Sequence, residues 1–362
     1  MVDEDLLARA TRLVAIPSVS RAEQDLADVV EQELRSRTGL DVQRIGDSVV
    51  ARSSGGHPTR ILLAGHLDTV PPSGNQVPRV DGDTLWGVGA VDMKGGLAVL
   101  LDLVASPSPR KTDVTYLFYA CEEVERSANA LGQLATTHPE LLSADAAVLL
   151  EPTGGQVEAG CQGTMRVEVV LTGKRAHTAR PWTGKNAVHR LAPLLDRISG
   201  FPPRQVELDG CTYLEQLQAV GVEGGIAGNV VPDQAVLTVN HRFAPDRDIP
   251  EATAWLREFL APVLDDAAGD TLRVVDAAGG APPALGHPVL AALVEASGTA
   301  PRAKVGWTDV ATLWDLGIPA TNFGPGDPLL AHSPDEHVTR SALQEVRRAL
   351  GALLGETAEE TR

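Results

Sequence analysis

Residues 62–70 read LLAGHLDTV, an apolar run that ends on an imidazole, His66, with a carboxylate, Asp68, two residues further on. A short unbroken apolar run bounded by polar or turn residues reads as a strand buried on both faces, so 60–64 is expected to be one. Outward from it the same pattern recurs. Apolar segments close on acidic or imidazole side chains in GVGAVDMKGG (87–96), YLFYACEEVE (116–125), AVLLEPT (147–153) and LLAHSPDEHV (329–338). The runs at 114–121 and 146–150 read as further buried strands. Residues 95–104 are apolar enough for a packed helix, and 6–14 and 22–34 carry helical spacing. Such alternation implies an α/β fold with a mixed, largely parallel sheet and helices on both faces. Sites in these sheets form at the carboxyl ends of strands, where the polar side chains fall.

The pattern changes after residue 163. Strand-like alternation at 165–172, a helix over 186–198, strands at 213–222 and 235–243, a helix at 249–260 and a strand at 271–275 give β-α-β-β-α-β, the ferredoxin-like α+β arrangement. The domains are therefore expected at 1–162, 163–278 and 279–362, the middle one inserted into the other two. DAAGGAPPALGHP (276–288) would be the return linker. The α/β pattern resumes with a helix at 311–316, a strand at 320–323 and an amphipathic helix at 339–354.

Composition narrows the classes. The chain has 362 residues, 43% of them hydrophobic, which suffices for two domains and a large core. No apolar run approaches the roughly 18 residues of a membrane helix. The start, MVDEDLLARA, lacks a basic and an apolar leader region, so a cytoplasmic protein is expected. Three cysteines without CxxC spacing argue against disulfides and against a thiolate zinc site. A net charge of -17 argues against a nucleic-acid partner, whose backbone it would repel.

The chemistry lies in His66, Asp92, Glu123, Glu151 and His332, with Glu122 as an additional carboxylate. Imidazole and carboxylate donors suit Zn²⁺. Two dications about 3.5–4 Å apart need a bridging anion, and Asp92, just before a glycine-rich helix start, is the best candidate. His66 and Glu151 could then complete one metal and Glu123 and His332 the other. Glu122 is left to act as general base toward a metal-activated water. Asp68 is placed to accept the second imidazole N–H of His66. The reading is a dinuclear zinc hydrolase.

The segments GHLDTVPP, GVGAVDMKGG, CEEVE, LLEPTGG and AHSPDEHV resemble the metal-dependent aminoacylase and carboxypeptidase family of zinc peptidases, over essentially the whole chain. The resemblance implies a zinc-exopeptidase-like fold, two Zn²⁺ ions for which Co²⁺ can substitute, the same five ligands and the same base. It also implies a homodimer built through the inserted domain, whose His177 reaches the second subunit's site and stabilises the oxyanion. It implies Asn229 and Arg242 as substrate-binding residues, with Thr308 and Gly324 lining the pocket. The substrate class is a small N-acyl amino acid. EPTGGQVEAGCQGTMR and RAHTARPWTGKNAVHR look most like the members that remove succinate from N-succinyl-LL-2,6-diaminopimelate for lysine and diaminopimelate synthesis.

Two departures bear on the acyl group. Gln162 stands where many such members carry arginine, and Trp307 where many carry a small residue. The rival readings are an N-acetylornithine-type deacetylase, a metallo-carboxypeptidase and, from another class, a non-catalytic zinc-binding dimer. The remaining histidines are read as structural: His57, His138 and His287 exposed before prolines, His189 packed in a helix, His337 in a loop or helix start, and His241 structural or at a dimer interface.

Overall fold

The computed structural model describes residues 5–356. The first residues of MVDEDLLARA and both chain ends of the expected domain bounds lie outside them. The described chain divides into two compact units. One comprises the chain through Gly160 with Pro283–Ala303 and the part from Thr308 onward; the other is Cys161–Pro282 with Lys304–Trp307.

Among the described residues, the first unit is built on an eight-stranded sheet in the order Leu40–Ile45, Ser48–Ser53, Asp113–Tyr119, Arg60–His66, Ala146–Leu149, Ala320–Asn322, Glu158–Ala159, Arg302–Ala303. The three central apolar runs pair in parallel, as expected of strands buried on both faces. The sheet is mixed: Leu40–Ile45 and Ser48–Ser53 form an antiparallel hairpin on one side, and Glu158–Ala159 runs antiparallel to Ala320–Asn322 toward the other. A two-residue turn joins that hairpin, with Gly46 at φ 58°. Helices Leu6–Val14, Gln24–Arg35 and Gly95–Ala105 contribute to one apolar core together with Arg340–Leu353.

The second unit carries, among the described residues, a four-stranded antiparallel sheet in the order Gln216–Gly224, Gln234–Phe243, Gly163–Thr172, Thr271–Ala278. Helices Leu191–Ser199 and Ile249–Leu260 pack their apolar faces onto it. The connection order is that of a ferredoxin-like unit. Gly163–Thr172 alternates buried and partly exposed positions, the period-2 signature of a sheet with one covered face.

Three local readings change. The Ala/Gly/Pro-rich return segment gives way at once to a helix, Pro288–Ser297, started by its proline. His189 is exposed in a short turn of helix, Val188–Arg190, and does not pack. His337 opens a strand, His337–Thr339, where its ring lies 4.1 Å from that of Trp86. Among the described residues, no helix is long and apolar enough to cross a membrane.

Candidate metal centre

Parallel pairing sets the depth of the site. His66 ends its strand opposite Tyr119, the last residue of the neighbouring one. Glu122 and Glu123 lie three and four residues past Tyr119, and Glu151 lies two residues past Leu149. Three strands therefore release their donors at one end of the sheet. Asp92 arrives from a tight turn, Ala90–Lys94, that leads into helix Gly95–Ala105. His332 arrives from the loop before strand His337–Thr339, with φ 62°.

The six side chains converge. Three groupings each offer ligand atoms within 4.8 Å of one another: His66 with Asp92 and Glu151, His66 with Glu122 and Glu123, and Asp92 with Glu123 and His332. Asp92 turns Oδ1 to His66 Nε2 at 3.0 Å and Oδ2 to His332 Nε2 at 3.5 Å. Glu123 Oε1 is 2.7 Å from that same His332 nitrogen. One carboxylate thus presents an oxygen to each half of the cluster, the disposition a bridging ligand requires. The halves differ in access: His66 is 1% exposed and the His332 side chain 50%.

Electrostatics describe what this donor set attracts. The carboxylate bonds of Asp92 and Glu123 raise His332 to about 10. Burial opposes charge on His66, yet Asp68 and Asp92 hold its imidazole well above its ordinary value. Asp92 is held low despite burial, by both imidazoles. Glu122 is pushed well up, first by burial and then by Glu151, Asp309 and Glu123. Without a cation the imidazolium protons compensate the gathered carboxylates, and a dication with oxygen and nitrogen ligands would displace them. The donor chemistry fits a pair of dications.

Asp68 does more than face the ring of His66. His66 Nδ1 lies 3.0 Å from the Asp68 main-chain carbonyl and 3.6 Å from its carboxylate. The carboxylate is bonded to main chain as well. Its Oδ1 accepts the Glu122 N–H and its Oδ2 the Glu123 N–H, each at 2.9 Å, and Ser20 Oγ donates at 2.8 Å. Burial would raise this acid, but His66 and those two main-chain bonds hold it at about 2.

The remaining site candidates divide between the units. Thr308 and Gly324 lie in the first, both buried. Gly324 stacks tightly on the strand end that carries Glu151: a Cβ there would stand 2.3 Å from Leu150 O and 2.4 Å from Glu151 O. His177, Asn229 and Arg242 lie in the second. His177 pairs with Val230 in a two-residue ribbon, and the Asn229 carbonyl accepts the Thr178 N–H at 3.0 Å, so His177 and Asn229 are neighbours. Arg242 sits separately, half-buried, on strand Gln234–Phe243. Gln162 and Trp307 also belong to this unit, where each fastens main chain: Gln162 Nε2 to Leu214 O and Trp307 Nε1 to Gly279 O, both at 3.0 Å.

Two buried acids escaped the sequence reading. Asp309, 1% exposed, accepts from Asn129 Nδ2 at 2.7 Å and Thr312 Oγ1 at 2.9 Å and adds negative potential to Glu122. Glu336, also 1% exposed, accepts the N–H groups of Val91 and Asp92. The only signal for either was an acid beside an apolar or liganding segment.

Residues 62–356 match the model of peptidase family M20/M25/M40. The chain belongs to that family. A Mycobacterium tuberculosis protein bearing the provisional name succinyl-diaminopimelate desuccinylase is 48% identical over 96% of this chain and 98% of its own length. The succinyl-diaminopimelate desuccinylase of Corynebacterium glutamicum is 44% identical over 97% and 96%. Among solved structures, a tripeptidase from Staphylococcus aureus superposes with TM-score 0.79 at 20% identity over 97% of each chain. A Bacillus subtilis protein described as a dinuclear metal-binding peptidase of the M20 family gives 0.66 at 17%, over 97% of this chain and 98% of that one. Both share the α/β fold with this chain.

Proposed function

We propose that this family member is a dizinc amidohydrolase that removes succinate from N-succinyl-LL-2,6-diaminopimelate. Its chemistry is carried by one observation, the Asp92 carboxylate with an oxygen facing each imidazole. The near full-length relationship to two named desuccinylases supports the substrate.

His66, Asp92 and Glu151 would hold one zinc, and Asp92, Glu123 and His332 the other. Bound there, the two ions would polarise the amide carbonyl and acidify a water. Glu122 takes a proton from that water as its oxygen attacks the carbonyl carbon. Glu122 then returns the proton to the nitrogen as the C–N bond breaks, releasing succinate and the free amine. His177 of a second copy of the chain donates to the developing oxyanion. Arg242 and Asn229 bind substrate carboxylates, the guanidinium in bidentate fashion. Thr308 and Gly324 line the pocket.

A homodimer through the second unit accompanies this reading. Strand Gln216–Gly224 is at the edge of its sheet and exposes Val220 (57%) and Val222 (56%), apolar side chains that a second copy could cover.

The test is hydrolysis, with zinc or cobalt supplied, of N-succinyl-diaminopimelate, N-acetylornithine and a dipeptide panel. Preferred release of succinate supports the reading. Acetate or free amino acids released faster would move the chain to a deacetylase or a carboxypeptidase. Inertness to every substrate would leave a binding protein.

A further inference from the structure

Glu336 belongs to none of the converging donor groups. It is nevertheless buried, and its side chain is committed to main chain. Oε1 accepts both the Val91 N–H at 2.9 Å and the Asp92 N–H at 3.1 Å. Its own carbonyl accepts the Gly87 N–H at 3.0 Å, and its N–H donates to Ser333 O at 3.3 Å. One residue therefore grips both ends of the 87–92 turn and reaches back to the loop that carries His332.

The turn needs an outside acceptor. Asp92 (φ -119°, ψ 95°) and Met93 (φ -132°, ψ 39°) are not helical, so the amides leading into them join no helical ladder. Buried N–H groups without an acceptor are costly. Glu336 supplies the acceptor, and in doing so fixes where the Asp92 side chain leaves the backbone. From there the Asp92 oxygens reach His66 and His332 at 3.0 and 3.5 Å. The protein builds the same device on the other side of the cluster, where Asp68 receives the consecutive amides of Glu122 and Glu123. Buried Lys94, whose Nζ donates to Ile16 O at 2.6 Å, adds a positive charge that Glu336 feels.

We propose that Glu336 is a positioning residue for the dinuclear centre: by holding the Val91 and Asp92 amides it sets the span of the bridging carboxylate. The proposal rests on the dinuclear reading above. Outer partners of metal ligands typically change metal affinity about 10–100-fold when removed.

The experiment is zinc titration against a chromophoric chelator, with thermal unfolding of the metal-stripped proteins, for wild type, Glu336→Gln, Glu336→Asp and Glu336→Ala. Wild type is expected to take two zinc ions per chain. Glu336→Gln keeps the acceptor oxygen and should stay within about 3-fold of wild-type affinity. Glu336→Asp withdraws it by one methylene and should fold yet bind zinc about 10-fold more weakly, with kcat reduced more than KM is raised. Glu336→Ala should lose more still. If alanine prevents folding, the aspartate and glutamine variants decide alone. Wild-type zinc affinity in Glu336→Asp overturns the proposal, as does glutamine binding as weakly as aspartate. Wild type that fails to take two ions overturns the dinuclear reading, and this proposal with it; two ions in wild type with unaltered binding in the variants overturns this proposal alone.

Discussion

The carboxylate of Asp68 grips Glu122 by its backbone, Oδ1 accepting the Glu122 N–H at 2.9 Å while Oδ2 takes that of Glu123. The proposed base and a proposed ligand therefore hang from one acid. Asp68→Asn replaces one acceptor oxygen by an N–H₂ that opposes an amide donor. It is expected to lower kcat about 10–100-fold and to weaken zinc binding. Steady-state kinetics and metal content of the purified variant check both.

Glu122 itself should separate chemistry from metal retention. Glu122→Gln keeps the shape and removes the base. Turnover should fall about 10²–10⁴-fold with two zinc ions still bound. Near-normal turnover would remove Glu122 from the mechanism.

Gly324 admits no side chain. Gly324→Ala forces a Cβ against Leu150 O and Glu151 O, both backbone atoms, and should cost about 3 kcal/mol while displacing Glu151. A lowered unfolding midpoint with reduced zinc content is the expected pair of results.

His241 gives a pH dependence away from the metals. Its ring is fully buried near Trp255 and Phe243, and neither nitrogen has a hydrogen-bond partner among the described residues. Burial depresses it from 6.5 to about 4, opposed by Glu215 and assisted by Arg247 and Arg204. Between those values the unfolded chain binds the proton that the folded chain refuses. Stability should therefore be insensitive to this group above pH 6.5 and fall as the pH drops toward 4, by up to about 3 kcal/mol. His241→Leu should raise the unfolding midpoint at pH 7 and flatten its decline on acidification. An equally steep decline in the leucine variant would remove His241 as its source.

Residues with chemistry of their own were the legible ones. His66, Asp92, Glu122, Glu123, Glu151 and His332 end apolar runs; parallel pairing gathers His66, Glu122, Glu123 and Glu151, while Asp92 and His332 are delivered by a turn and a loop. The helices Leu6–Val14 and Ile249–Leu260 coincide with their periodicity. What the sequence concealed is hydrogen bonding to main chain. Nothing in the spacing of Glu336 or Asp68 says that its oxygens meet consecutive amides far away in the chain. Asp309 was hidden too, since its partner Asn129 comes from a distant segment. Helix Pro288–Ser297 was masked by the Ala/Gly/Pro composition just before it.

The donors of the candidate centre are drawn from almost the full run of the chain, His66 early and His332 late, with the whole second unit threaded between them. Ions bound by both histidines would act as a tertiary cross-link, closing a loop that encloses an independently packed body. Loading would then favour the folded chain by loop-closure entropy as well as by coordination. A chain interrupted anywhere between Glu151 and His332 would keep most of its ligands and still lose the clasp.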